Sequence, residues 1–380
     1  MLTTVAVAGY RSLRDVAVPL GALTVVTGHN GSGKSNLYRA LRLLASTASG
    51  AIVEAVAREG GLPSVLWAGP ESPTGEAVVQ GTVRKNPHAL LLGFASDELG
   101  YLIDLGQPQV VQPTLFARDP EIKREQIFAG PFAKPSTLLL DRLRGVARVR
   151  DTSWRVLSQP LMAYETILTD LAEGDTGPEL LALRRTLSGW RFYDHFRTDH
   201  AAPLRSPQVG TRTPVLDHEG TTLAATWATI SESGRGAPLS REVDRAFPGS
   251  RVEVIGSDGQ LRLTMRQPGM LRPLEATELS DGTLRYLLLC AALLPAEPGP
   301  LIVLNEPESS LHPDLIGPLG ELIAAASEAT QVLVVTHSVA LAAALDRAGA
   351  LSHRLESTPA GTRIADQGML DRPMWQWGSR

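Results

Sequence analysis

Residues 28–35 read GHNGSGKS, and two unlike patterns flank them. Before them, Leu23 to Thr27 (LTVVT) is a short run rich in β-branched residues, the composition of a buried strand. After them, Leu37, Leu41 and Leu44 recur at helical spacing in NLYRALRLLAS, which predicts an amphipathic helix. Strand, glycine-rich turn and helix in that order form a phosphate cradle. Glycines let the backbone curl so that successive N–H groups point at one anion, and the helix start adds favourable partial charge. Asn30, Gly31, Ser32, Gly33 and Asn36 are expected to shape this cradle, with Lys34 reaching the β and γ phosphates of a bound nucleotide and the Ser35 hydroxyl ligating Mg2+. Lys34 is one of only four lysines in the chain.

Composition limits what surrounds the cradle. The chain has 380 residues, 43% of them hydrophobic, enough for one large or two ordinary domains with a real core. A net charge of -4 gives no global attraction to nucleic acid or to a membrane surface, so a DNA partner requires a local basic patch. Cys290 is the single cysteine and lies in the apolar run LLLCAALL, which excludes an internal disulfide and argues against a zinc cluster. No segment approaches the roughly 18 uninterrupted apolar residues of a membrane span. The expected location is the cytoplasm, with no membrane partner.

Further along, VAVAGYRSLRDVAVP alternates as short strands, and EAVVQGTVR, HALLLGFAS and YLIDLG between about 76 and 112 predict an antiparallel meander. TLLLDRLRGVA, PLMAYETILTDLA, PELLALRRTLSGW, TTLAATWATIS and LSREVDRAF carry helical spacing. Strands return in RVEVIG and QLRLTMR, followed by a helix at 282–294. The expected class is α/β: a mixed-sheet core with an antiparallel β lobe, residues 1–134 and 249–380 forming one body and 135–248 a mostly helical insertion.

Two further stretches carry chemistry. In ELSDGTLRYLLLCAALL (278–294), Ser280 stands where a helix N-cap belongs and Asp281 complements the positive helix end, so a plain cap explains the local pattern. In LIVLNEPESSLHP (301–313) and QVLVVTHS (331–338), apolar runs end in Asn305-Glu306 and Thr336-His337, placing polar groups at the carboxyl edge of a sheet, where open α/β folds bind ligands. Glu308 reads as structural.

Order and spacing give these stretches a second reading. LSDGT, some 25 residues before the NEPE strand, resembles the LSGGQ signature of ABC and SMC-type ATPases, and GHNGSGKS matches their P-loop. The resemblance implies a P-loop NTPase fold of ABC/SMC head type that binds ATP with Mg2+ and forms an ATP-dependent homodimer. Ser280 and Gly282 would then contact the γ phosphate of ATP held by the other subunit. It also implies that Glu306 polarises the attacking water, that His337 touches the γ phosphate, and that residues 309–313 reach the partner. Asn305 stands where these families place an aspartate beside the metal. Asparagine keeps one acceptor oxygen but loses the charge, so Mg2+ is expected to be held more weakly and hydrolysis to be slow. The chain resembles a subgroup of RecF-like ATPases that write NEPE for DEPE, which implies action on DNA in repair or phage defence. The opening GYRSLRDVAVPLGALTVVTG is similar to that of RecF and other SMC-like heads, and leaves Arg11 two readings: facing the nucleotide, or solvated on an edge strand.

Arg142, Arg144, Arg148, Arg150 and Arg155, with a second group at Arg184, Arg185, Arg191 and Arg197, are candidate DNA contacts, weighed against ion pairs with neighbours such as Asp141 and Asp151. About 245 residues separate the P-loop from LSDGT, more than in ABC transporter ATPases. The alternative to an ATPase acting on DNA is a nucleotide-gated switch with negligible turnover that signals to a protein partner.

Overall fold

The computed structural model describes residues 1–70, 89–108, 115–158, 160–171, 177–365, 367–368 and 371–378. The strand expected at EAVVQGTVR lies outside them. The chain forms two compact units: Met1–Gly21, Val26–Trp190 and His353–Arg380 make the first, and Ala22–Val25 with Arg191–Ser352 the second.

In the first unit, β1 (Leu2–Tyr10) and β2 (Leu13–Pro19) form a hairpin; β3 (Leu23–Gly28), which belongs to the first unit from Val26 onward, delivers the chain to α1 (Lys34–Ser46). Val5, Val7 and Tyr10 of β1 are fully buried, because β1 is an inner strand with β2 on one side and β4 (Leu90–Ser96) on the other. The sheet continues through β5 (Leu99–Gly106), β6 (Glu121–Ala129), β7 (Leu138–Leu143), β8 (Val146–Arg150) and β9 (Trp154–Val156). Its order is β2-β1-β4-β5-β6-β7-β8-β9, with every neighbouring pair antiparallel. Helix α1 packs on β1 and β4, with α2 (Ile52–Arg58), α3 (Leu62–Val65), α4 (Ile167–Asp170) and α5 (Pro178–Ser188) nearby in the same unit.

TLLLDRLRGVA is therefore not a helix but the β7–β8 hairpin, with Leu140 paired to Val149. The reason is one inward-facing charge. Arg142 lies two residues from buried Leu140, hence on the same face of β7, and its Nη1 meets the Glu125 carboxylate of β6 at 2.6 Å, both side chains 0% exposed. A buried arginine hides the alternation by which a half-buried strand is read, leaving leucines at spacings that suit a helix. Residues 135–248 contain β7 to β9 of the first unit's sheet as well as helices, and no compact unit begins or ends at the expected boundaries 134/135 and 248/249.

The second unit opens with β10 (Arg191–Tyr193) and β11 (Gln208–Val209), then α6 (Leu223–Ile230) and α7 (Gly236–Ala246). β12 (Arg251–Ser257), β13 (Gln260–Arg266) and β14 (Leu274–Glu275) form a small antiparallel sheet with β11. Next come α8 (Asp281–Leu293), β15 (Leu301–Asn305), α9 (Ile316–Ala326), β16 (Gln331–Val335) and α10 (Val339–Arg347). β10, β15 and β16 pair in parallel, Tyr193 beside Leu304 and Asn305 beside Val335, and the Val332 N–H donates to Ala22 O at the approach to β3. Strands buried on both faces become continuous apolar runs, which is why LIVL and VLVV read as they do. Helix α8 is buried all round from Leu284 to Leu293, packed among α6, α7 and α9. The chain then enters β17 (Leu351–Thr358) and β18 (Gly361–Ile364), an antiparallel hairpin belonging to the first unit from His353 onward.

Candidate functional site

The P-loop lies in the first unit. Gly33 precedes α1 at φ +101°, no side chain caps the helix, and its first turn contains no acidic residue. The first-turn N–H groups and the positive helix end are left for an anion. Gly33 is required by space as well as by φ: a Cβ there would come within 2.3 Å of Thr362 Oγ1 on β18. That hydroxyl donates to Ser32 O and lies 2.9 Å from Ser12 Oγ, which in turn accepts from Asn36 Nδ2 at 2.9 Å. Asn36 thus braces the loop from beneath. Lys34 Nζ donates to Gly28 O at 2.6 Å and to His29 O at 3.1 Å, holding its ammonium across the loop. Asn30, Gly31 and Ser35 are exposed, while Ser32, Gly33 and Lys34 are buried. Arg11, in the β1–β2 turn, is half-buried, and its Nη2 pairs with the Glu59 carboxylate at 2.6 Å.

The second unit gathers the acidic turn at the carboxyl ends of β10, β15 and β16. Glu306 adopts φ +49°, a left-handed conformation costly for a side-chain-bearing residue, while its N–H donates to Val335 O at 2.8 Å. The strained turn brings its carboxylate Oε1 to 3.3 Å from His337 Nδ1. Glu308 is buried and holds the β16–α10 junction, accepting from Thr336 Oγ1 and from the N–H groups of His337 and Ser338 at 3.3 and 3.2 Å. Asn305 is 8% exposed; its Nδ2 donates to Asp194 Oδ1 at 2.8 Å, and its Oδ1 has no hydrogen-bond partner among the described residues.

Sequence reading did not place Asp194 beside Asn305, and it missed Arg285. Asp194 directly follows β10, whose pairing with β15 lay hidden inside a segment taken for an insertion. Arg285 sits in the α8 run that read as a buried apolar helix, and its Nη2 donates to the backbone oxygens of Asp194 and Glu306, both at 3.3 Å. Burial pulls its guanidinium below the ordinary value, opposed by the nearby Asp194, Glu308 and Glu306 carboxylates.

Ser280 caps α8, its hydroxyl accepting from Thr283 N at 3.2 Å, and it remains exposed. Arg205 pins the preceding loop through Ala276 O and Leu279 O and reaches Asp281 Oδ1 at 2.6 Å. Ser280, Gly282 and Thr283 line a cavity of about 280 Å3 together with Phe247, His312 and Asp314, so the cap and the loop after Glu306 face one recess.

Three of the nine candidate DNA-binding arginines form ion pairs within the fold. Arg142 is buried against Glu125, Arg148 pairs with Asp141 and stacks on Trp154 at 4.6 Å, and Arg197 pairs with Asp199. Burial contradicts a DNA contact for Arg142. No helix among the described residues is long and apolar enough to cross a membrane.

An uncapped P-loop helix after β3, parallel strands ending in an acidic turn and a histidine, and a serine-capped helix belong to an α/β P-loop NTPase fold of SMC-head type. The chain belongs to the family described as "AAA domain, putative AbiEii toxin, Type IV TA system", matched over residues 23–343. No curated protein matches it in sequence. Among solved structures it is similar to an SMC head bound to the C-winged helix domain of ScpA, at a TM-score of 0.51 and 13% identity over 96% of this chain and 97% of that one. The SMC head domain from Thermotoga maritima (TM-score 0.46, 16% identity, 96% and 98% covered) and that of Pyrococcus furiosus with an extended coiled coil (0.49, 12%, 96% and 95%) are also similar. At these identities the likeness is one of fold, and the first structure alone carries it.

Proposed function

We propose that the protein is a slow ATPase whose two copies close around ATP and that it acts on DNA, the last part drawn from the RecF-like motifs. The observation that carries the ATPase reading is Glu306, held in a left-handed turn with His337 Nδ1 3.3 Å from its carboxylate. A carboxylate fixed in this way accepts a proton from water as the water attacks, and an adjacent imidazole contacts the phosphoryl group that develops charge. The P-loop backbone and Lys34 bind the phosphates. Ser280 and Gly282 are assigned to the nucleotide held by the other copy, and the Arg11 guanidinium serves the nucleotide only by exchanging Glu59 for it.

The family implies Mg2+, and two residues each offer it a neutral oxygen: Ser35, exposed in the first helical turn, and Asn305, whose buried Oδ1 has no hydrogen-bond partner among the described residues. Few neutral donors suit a cation that keeps several of its waters. When bound, Mg2+ neutralises phosphate charge.

The test is phosphate release from ATP, with and without DNA. Wild-type protein should release phosphate only when Mg2+ is supplied, and Glu306→Gln should lower the rate by about 10²-fold or more. Equal rates for the two proteins would sink the hydrolytic reading. The neutral Asn305 favours a second reading, a nucleotide-gated switch contacting a protein partner; ATP-dependent self-association without phosphate release supports that one.

A further inference from the structure

The strand end that should carry a charge beside the metal carries Asn305, yet a carboxylate lies against it. Asp194 follows Tyr193 at the end of β10, and the β10–β15 register places it next to Asn305. Its Oδ1 accepts from Asn305 Nδ2 at 2.8 Å. A carboxylate only accepts, so it selects one of the two orientations of the amide; the reverse would set two oxygens against each other. The selected orientation turns Oδ1 away from Asp194, and that oxygen is buried with no partner among the described residues. Arg285 holds Asp194 through its backbone oxygen, leaving the carboxylate to the amide.

We propose that Asp194 is a positioning residue for the metal site: its carboxylate locks Asn305 so that Oδ1 presents as an acceptor to Mg2+-bound water, and it supplies from β10 the negative charge that β15 lacks. Asn305 and Asp194 together replace a single aspartate. The inference rests on the ATPase reading, because it assigns Mg2+ with nucleotide to this strand edge.

Calorimetric titration of ADP onto the full chain, in EDTA and over a Mg2+ series, tests it without requiring turnover. Asp194→Asn should leave the affinity in EDTA unchanged and raise the half-saturating Mg2+ concentration about tenfold, the usual effect of losing a group that orients a metal ligand. The exchange Asp194→Asn with Asn305→Asp restores one carboxylate and one amide, and should return the requirement to within about threefold of wild type. A requirement within about twofold of wild type in Asp194→Asn overturns the proposal while leaving the ATPase reading intact. So does a double exchange no better than Asp194→Asn alone. Wild-type affinity indifferent to Mg2+ removes the reading beneath and the proposal with it.

Discussion

Single residues in this chain carry costs that only their neighbours offset. Glu125 is buried with Arg142, receives the Tyr101 hydroxyl at 2.6 Å and the Ile167 N–H, and burial still raises its carboxyl above the ordinary value. Truncating one member leaves the other as an uncompensated buried charge. Arg142→Ala should therefore lose about 3–5 kcal/mol in urea denaturation, whereas replacing both charges together, Glu125→Gln with Arg142→Met, should cost clearly less. A loss below about 1 kcal/mol for Arg142→Ala would show that the pair contributes little. Glu306 bears its cost in backbone conformation instead, at φ +49°. Neither feature is visible in sequence. A buried arginine and a solvated one share a letter, and a left-handed glutamate looks like any other; LNEPE marked the place but not the strain.

At the scale of elements, the parts legible in the sequence were those whose partners are close along the chain. The strand, turn and helix around GHNGSGKS, the β12–β13 hairpin and the Ser280 cap follow from local pattern alone. β10 was lost because three residues, RFY, form a strand only when LIVLN, more than a hundred positions away, lies alongside. The β17–β18 hairpin likewise supplies Thr362 to the P-loop from far along the chain, with no motif to announce it. On β17, His353 is buried and its Nε2–H donates to Pro19 O at 2.9 Å. Burial lowers its basicity below the ordinary value of 6.5, the Pro19 bond opposing only in part. Between the folded value and 6.5 the unfolded chain holds more protons, so stability is full above about 6.5 and falls as the pH drops towards the folded value. Melting curves from pH 7.5 to 5.5 should shift less in His353→Gln than in wild type, and identical shifts would remove His353 as a source of acid sensitivity.

For the whole molecule, the two ends of the chain announced the class, while the division into units followed contacts that the sequence order conceals. A chain that leaves the first unit for Ala22–Val25, rejoins it at Val26, leaves again at Arg191 and returns at His353 defeats boundaries drawn from composition. The proposed assembly is tested at this scale. Glu306→Gln keeps the P-loop and Ser280 but lacks the proposed base, so it should elute as a dimer with ATP and as a monomer without it, and the added change Ser280→Arg should abolish the shift. An unchanged elution volume with ATP would exclude the closed pair.

Arg285 has a further consequence. One guanidinium ties the helix that starts at Ser280 to the peptide carbonyl of Glu306, so neither end of this tether shifts without tugging the other. On the proposed reading, a partner pressing on Ser280 would pull on the Glu306 turn through this one guanidinium.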